Sequence, residues 1–416
     1  MKIISIARGI AALACLTAGV VACRPTTQPP ADPNLPIIFV HGFMGSGSQY
    51  RSQQLRFASN GFDRNRIRVF NYNTASIDTS RLNGFVDAVR QEFGVAKVNL
   101  VGHSLGTGVV TGYVSANAAK INRFVLVDGV GCPAGNANCL AIRAAELGQT
   151  HVEANVSAES FDRQYRFFTG RAPTTTAIVP EAPEQVKISG YALNLQTNVP
   201  NAGAAAQVWE LDSTTGARVG AAPAATFTVA ANGSWGPVSV DGRRHYEITA
   251  ARGDMTAHYY FQPFVRSSDF VHLIGSPAGG ASDVNTNRGP NHVALVVQRQ
   301  REFWRSHGAR NDTLQVGVGG QTANVFQNVP GDVVGVHIHD DSATPGTSSL
   351  GLLNYFRSQP FQTGVDVYLP AANPPTGTVA ITNAFRGDTG RVQRIAVPNW
   401  PSSGHHVIVE MNDWAN

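Results

Sequence analysis

Apolar residues recur along this chain in two rhythms. Between residues 35 and 171, the apolar runs LPIIFVHG, IRVFNYN, KVNLVGHS and RFVLVDG alternate with stretches of helical period. The clearest helical stretch is 78–94. There Leu82, Phe85, Val89 and Phe93 fall on one stripe, and Gly94 supplies the stop. Strands apolar at nearly every position are buried on both faces, so this alternation predicts a mostly parallel sheet with helices on both sides. After Gly170 the pattern changes. RAPTTTAIVPEAPEQ is rich in Pro and Thr and marks a linker, 172–185. VKISGYALNL, AAAQVWELD, ATFTVAANGSWGPVSV, RHYEITAA and HYYFQPF then run at period two, predicting a β-sandwich over 186–270. Residues 271–311 read as a connector, with a short helix in HVALVVQRQREFWRSHG. Short strands from 312 to 416 predict a second β-domain. The expected fold class is α/β, followed by one or two all-β sandwich or barrel domains.

The first 22 residues read as an export signal. Lys2 and Arg8 precede the apolar stretch GIAALACLTAGVVA, which is too short for an ordinary membrane span. VVAC resembles a bacterial lipobox, which would make Cys23 the lipid-bearing first residue of the mature chain, with 23–34 as a tether. The alternative is an ordinary cleaved signal with an incidental cysteine. Either way the expected location is outside the cytoplasm: an outer-surface or periplasmic lipoprotein, otherwise a secreted protein. In an oxidising compartment Cys132 and Cys139, in CPAGNANC, are expected to pair, against the alternative of two buried thiols. Hydrophobic residues make up 43% and charged residues 14%, which excludes wholesale disorder. The net charge of +4 is small and dispersed, which argues against a nucleic-acid partner.

The chemistry gathers around GHSLG, residues 102–106. It follows an apolar strand and precedes a helix-compatible run, the strand–turn–helix setting of a nucleophile elbow. Side chains at 102 and 106 would collide with neighbouring backbone, and the tight turn holds the Ser104 hydroxyl clear of the sheet. A carbonyl under attack develops charge on oxygen and needs fixed N–H donors. Leu105, next to the nucleophile, and Phe43, in the VHGFMG loop, are the candidates. His41 is read as a residue that shapes the loop.

These motifs in combination give residues 35–171 a resemblance to α/β-hydrolases of the bacterial lipase and carboxylesterase type. The β region resembles, more loosely, lipases with a C-terminal β-domain for lipid substrates. The resemblance implies a serine, an acid and a histidine acting through an acyl-enzyme, with no cofactor and no metal. Asp128, ending RFVLVD, is the expected acid, with Glu146 as the fallback; its placement resembles pancreatic-type lipases. Two histidines compete. His151 follows a strand in CLAIRAA and a short final strand in GQTHV. It precedes a helix that Ser157 can cap and whose stripe is Phe161, Tyr165 and Phe168. His292 precedes the helix-like VALVVQRQREFW, with Asp269 and Asp283 nearby. Choosing His292 would strand a β-sandwich inside the hydrolase, so loop economy favours His151.

The expected activity is hydrolysis of acylglycerols or other lipid-like esters. A polyester or polysaccharide ester is the alternative substrate. The alternative from another class is a surface carbohydrate- or lipid-binding protein with a degenerate hydrolase. No long lid fits between Asp128 and His151, so the site is either open or covered by another segment. The aromatic strip 258–264 reads as core and domain interface rather than substrate surface. HIHDD, 337–341, reads as a polar strand end and the pair His405 and His406 as a turn before a strand, neither as metal ligands.

Overall fold

A computed structural model of the chain describes residues 34–414. The expected signal segment 1–22, Cys23 and the tether as far as residue 33 lie outside the described residues. The first unit is built on β1 (Ile37–Val40), β2 (Ile67–Phe70), β3 (Val98–His103), β4 (Ile121–Val127) and β5 (Cys139–Ile142). They lie in the order β2-β1-β3-β4-β5 with every pairing parallel. The helices are α1 (Arg51–Ser59), α2 (Thr79–Phe93), α3 (Leu105–Asn117), α4 (Ala144–Leu147), α5 (Glu153–Val156) and α6 (Ala158–Thr169).

Alternation along β1 divides the core in two. Ile37 and Phe39 pack with Phe57 of α1 and with Phe161, Tyr165 and Phe168 of α6. Ile38 and Val40 face the other way, onto Leu82, Val86 and Val89 of α2 and Val109, Val110 and Tyr113 of α3. The sheet is thus covered on both sides. The expected helix signals are in place: Gly94 ends α2 at φ 63°, and the Ser157 side chain accepts the Ser160 N–H at the start of α6. Cys132 and Cys139 form a disulfide beside β5.

The expected final strand in GQTHV does not form. Gly148 ends α4 at φ 63° and turns the chain, leaving β5 as the sheet edge. The N–H groups of Val152 and Glu153, which a strand would give to the sheet, go instead to the Glu302 carboxylate.

The rest of the chain supplies β6 (Lys187–Asn194), β7 (Ala205–Leu211), β8 (Ala225–Thr228), β9 (Ser234–Ser239), β10 (His245–Arg252), β11 (Met255–Phe261), β12 (Leu273–Gly275), β13 (Leu295–Phe303), β14 (Thr313–Val318), β15 (Gln321–Asn324), β16 (Val333–His339), β17 (Gln362–Asp366), β18 (Thr378–Phe385), β19 (Asp388–Pro398) and β20 (His405–Glu410). Eight of these form one sheet, β17-β16-β13-β20-β11-β10-β7-β8. One half of this sheet packs against β6 and β9, and the other against the four-stranded sheet β15-β14-β18-β19.

Two expectations for this region are corrected. The helix expected in HVALVVQRQREFW is strand β13. Leu295 and Val297 face one core and Val296 the other, so a run apolar at every position is a strand buried on both faces; its β-branched residues suit the pleat. Residues 271–311 are accordingly no mere connector, since β12 and β13 both lie there. The two expected β-domains also share the eight-stranded sheet, where β20 pairs in parallel with both β11 and β13. The aromatic strip is interior: Tyr259, Tyr260 and Phe261 are all buried.

Candidate active site

Ser104 stands between β3 and α3 with φ 52° and ψ −120°, a left-handed conformation rarely taken by a residue with a side chain. Its neighbours explain how the turn closes. A Cβ on Gly102 would meet the Gly106 carbonyl oxygen at 2.5 Å, and one on Gly106 would run into the Val40 and His41 carbonyls. The Ser104 N–H is tied to the Val127 carbonyl at 2.9 Å, fixing the turn to β4.

Asp128 directly follows β4 at φ 45°. One carboxylate oxygen accepts the Ala144 N–H at 2.9 Å and the other meets His151 Nδ1 at 2.6 Å. Burial acts to raise this carboxyl, but the Ala144 N–H and His151 outweigh it and hold its pKa below the ordinary range. Asp128 is therefore an anion aimed at His151.

His151 itself is held from several sides. His103 is fully buried, which lowers its pKa to about 3 and leaves it neutral. Its Nε2 lies 3.0 Å from the His151 carbonyl oxygen, and its Nδ1 lies 3.3 Å from the Gln49 amide nitrogen. The consistent tautomer donates from Nε2 to the carbonyl and accepts from Gln49 at Nδ1. Phe361, just before β17, stacks on the His151 ring at 5.9 Å between centroids and 14° between planes. Phe361 also adopts a positive φ, 62°.

Ser104, His151 and Phe43 line one cleft. Much of its opposite wall comes from the β region: Leu195, Ile274, Gln298, Val334 and Phe361 among others. The covering segment absent between Asp128 and His151 is thus supplied by the downstream strands and their loops. Sequence reasoning missed Glu302 and Phe361 at the site, because no local motif marks them.

The donor candidates are placed as follows. Leu105 is the first residue of α3, where helix N–H groups lack intrahelical acceptors. The main chain at Gly42 runs beside the nucleophile, since a Cβ there would lie 3.0 Å from Ser104 Cβ. Phe43 follows it on the cleft wall, and the next N–H, of Met44, is engaged by Thr74 Oγ1 at 3.3 Å. His41 shapes this loop. It is buried and stacked on Tyr72, its Nδ1 lies 2.9 Å from the Gly42 carbonyl oxygen, and burial lowers its pKa to about 4.

The alternatives lie elsewhere. Glu146 forms an exposed ion pair with Arg163 at 2.9 Å. His292 is buried between the Asn287 carbonyl, 3.0 Å from its Nε2, and Asp340, and it does not line the cleft. His337 stacks on Phe356 and bonds Gln362 at 2.7 Å. Among the described residues no group of three or more His, Cys, Asp or Glu side chains is placed to hold a metal. No described helix is long and apolar enough to cross a membrane.

Comparison with known proteins divides the chain into three parts. Residues 36–151 match the model of the alpha/beta hydrolase fold, and residues 184–277 that of a lipase C-terminal domain. Residues 281–415 match a third model, described as a C-terminal domain. No curated protein matches the chain. Solved structures similar to it include the mature form of a Bacillus licheniformis lipase, at 22% identity over 35% of this chain and 62% of that one, with a TM-score of 0.21. An extracellular alpha/beta-hydrolase from a Paenibacillus species is 16% identical over 35% of this chain and 68% of that one, with a TM-score of 0.19. A pyrethroid hydrolase is 16% identical with a TM-score of 0.20; the match covers 23% of this chain and 40% of that one, under half its length. The parallel sheet, the flanking helices and the matched models agree: residues 36–151 have the α/β-hydrolase fold, and a β region follows whose first part, 184–277, is similar to a lipase C-terminal domain.

Proposed function

We propose that this protein is a serine carboxylic ester hydrolase acting on lipid-like esters. The carrying observation is that Ser104, on its strained turn, and His151, held by Asp128 at 2.6 Å, line a single cleft. In this reading His151 Nε2 takes the Ser104 proton as the hydroxyl attacks the ester carbonyl. Asp128 keeps the proton on Nδ1 and stabilises the imidazolium. The N–H groups of Leu105 and Phe43 receive the oxyanion. The alcohol leaves with the proton from His151, and water then releases the acid by the same steps. The cleft wall includes Phe43, Met44, Leu195, Ile274, Val334 and Phe361, which suits an apolar acyl group.

The test is a p-nitrophenyl ester series of increasing acyl length with wild type and Ser104→Ala. Turnover by wild type, and its loss in the variant by at least about 10³-fold, is expected. Activity surviving in Ser104→Ala would sink the serine mechanism. Absence of wild-type activity at every length would favour a binding protein with a degenerate hydrolase.

A further inference from the structure

The turn carrying His151 is gripped by a residue from far along the chain. Glu302 lies near the end of β13 and is 3% exposed. Its Oε1 accepts the Val152 N–H at 2.6 Å, while its Oε2 accepts the Glu153 N–H at 2.8 Å and the Thr150 hydroxyl at 2.8 Å. Three donors flanking His151 thus converge on one carboxylate. The Val152 N–H and the His151 carbonyl belong to the same peptide unit. The hydrolase holds the carbonyl through His103 Nε2 at 3.0 Å, and the β region holds the N–H. A peptide plane fixed at both edges leaves the histidine main chain little room to rotate. The side chain above it is fixed by Asp128 and by the ring of Phe361.

The surroundings keep the grip in place. Glu153, whose N–H Glu302 accepts, turns one carboxylate oxygen to Arg301 at 2.5 Å and Arg386 at 3.0 Å, while the other lies 3.3 Å from the Thr150 hydroxyl. These guanidiniums, also from the β region, offset the second negative charge at the junction. A buried carboxylate with charge-assisted bonds to main-chain donors is a stiff anchor. An error of about 1 Å in a catalytic base costs on the order of 10²-fold in rate.

We propose that Glu302 is a positioning residue for His151, and that the β region thereby completes the catalytic site of the hydrolase. The proposal rests on the serine ester hydrolase reading above. Glu302 touches no substrate; it acts through the 150–153 turn. Glu302→Gln is the sharpest variant, since it keeps size and one acceptor but turns an NH₂ toward donors.

The test uses the full chain, with active sites titrated by a serine-reactive fluorophosphonate and turnover expressed per titrated site. Glu302→Gln is expected to lower kcat per site about 10- to 100-fold with KM changed little. The labelling rate of Ser104 should fall in parallel. Wild-type kcat per site in Glu302→Gln, whatever its melting temperature, would overturn the proposal, since a merely structural role lowers only the number of competent sites. Should Glu302→Gln not fold, Thr150→Val, which removes one of the three donors, is expected to lower kcat per site several-fold; an unchanged value there would overturn it equally. Wild type that neither labels at Ser104 nor turns over esters would instead refute the serine hydrolase reading, so the two failures are distinct.

Discussion

At the scale of single residues, the nucleophile elbow was the most legible feature. GHSLG needs glycine at both ends because of what stands against it: the Gly106 carbonyl against Gly102, and the Val40 and His41 carbonyls against Gly106. Such close approaches are local, so a local motif records them. Asp128 and His151 could be ranked by chain order and loop economy, and the structure brings them together at 2.6 Å. Asp128→Asn is expected to lower kcat on the order of 10³- to 10⁴-fold, because the amide cannot hold the imidazole in the same tautomer. His292→Ala is expected to leave turnover near the wild-type value, since His292 does not line the cleft. Ester kinetics on both variants checks this pair; loss in His292→Ala would reverse the assignment of the base. Glu302 and Phe361 left no such local trace. Nothing about a glutamate near the end of an apolar run says which turn, far back in sequence, its carboxylate will meet.

Elements were legible where one face was apolar and the other wet. Helix α2 shows this, and so does α6, whose Phe161, Tyr165 and Phe168 reach the core as expected. The short strands β1, β3 and β4, buried on both faces, were legible as well, from their length and bounding turns. Legibility failed at β13, whose nine residues include the helix-favouring stretch QRQRE. Strand β13 has two dry faces, so its apolar run carries no period to separate strand from helix. Helix α1 fails in the opposite sense. Its sequence RSQQLRFAS is mostly polar, yet Arg51, Ser52, Gln53, Gln54 and Arg56 are all buried. Several of them bond later segments at the junction: Arg51 donates to Asn412 at 2.9 Å, Gln53 donates to the Asn155 carbonyl at 2.8 Å, and Gln54 Oε1 accepts the Ser268 hydroxyl at 2.8 Å.

The sheet pairing of β10, β11 and β20 offers a pH test. Glu247 on β10 is 1% exposed and meets His258 Nδ1 at 2.5 Å, Arg218 Nε at 2.6 Å and the Tyr260 hydroxyl at 3.1 Å. His258 in turn reaches His405 of β20 at 2.8 Å. Burial alone would raise the Glu247 carboxyl, but the His258 and Arg218 contacts win and lower its pKa from 4.5 to about 2. A folded-state pKa below the unfolded value means the carboxylate stabilises the fold above pH 4.5, and that this is lost as pH falls toward 2. Melting temperature is therefore expected to drop between those values in wild type. Glu247→Gln should melt lower near neutrality and show a shallower acid drop. An equal acid slope in the two proteins would contradict the assignment.

For the whole molecule, the division into a hydrolase and a β region was readable from the change of rhythm near Gly170. The internal break expected over 271–311 contains the boundary between the matched models, 184–277 and 281–415, but the pairing across it was not readable, because period-two runs carry no record of which strands pair. The expected break over 271–311 falls inside a shared sheet. Export and lipid attachment remain a proposal carried by the sequence of the first 23 residues. Metabolic labelling with a fatty acid is expected in wild type and not in Cys23→Ser; equal labelling would remove the anchor from the account.

The position of β20 bears on how such a protein is made. Its partners β11 and β13 are synthesised well before it, yet β20 lies between them in the finished sheet. Until it arrives, β11 and β13 each lack the neighbour that joins them, and Glu302 sits on one of these two strands. A ribosome that has reached the end of α6, at Thr169, has made the serine, the aspartate and the histidine, but not the support behind the histidine. On that ordering, and on the function proposed above, esterase capacity would mature only with the last strand, so the site would stay incomplete until nearly the whole chain has been made.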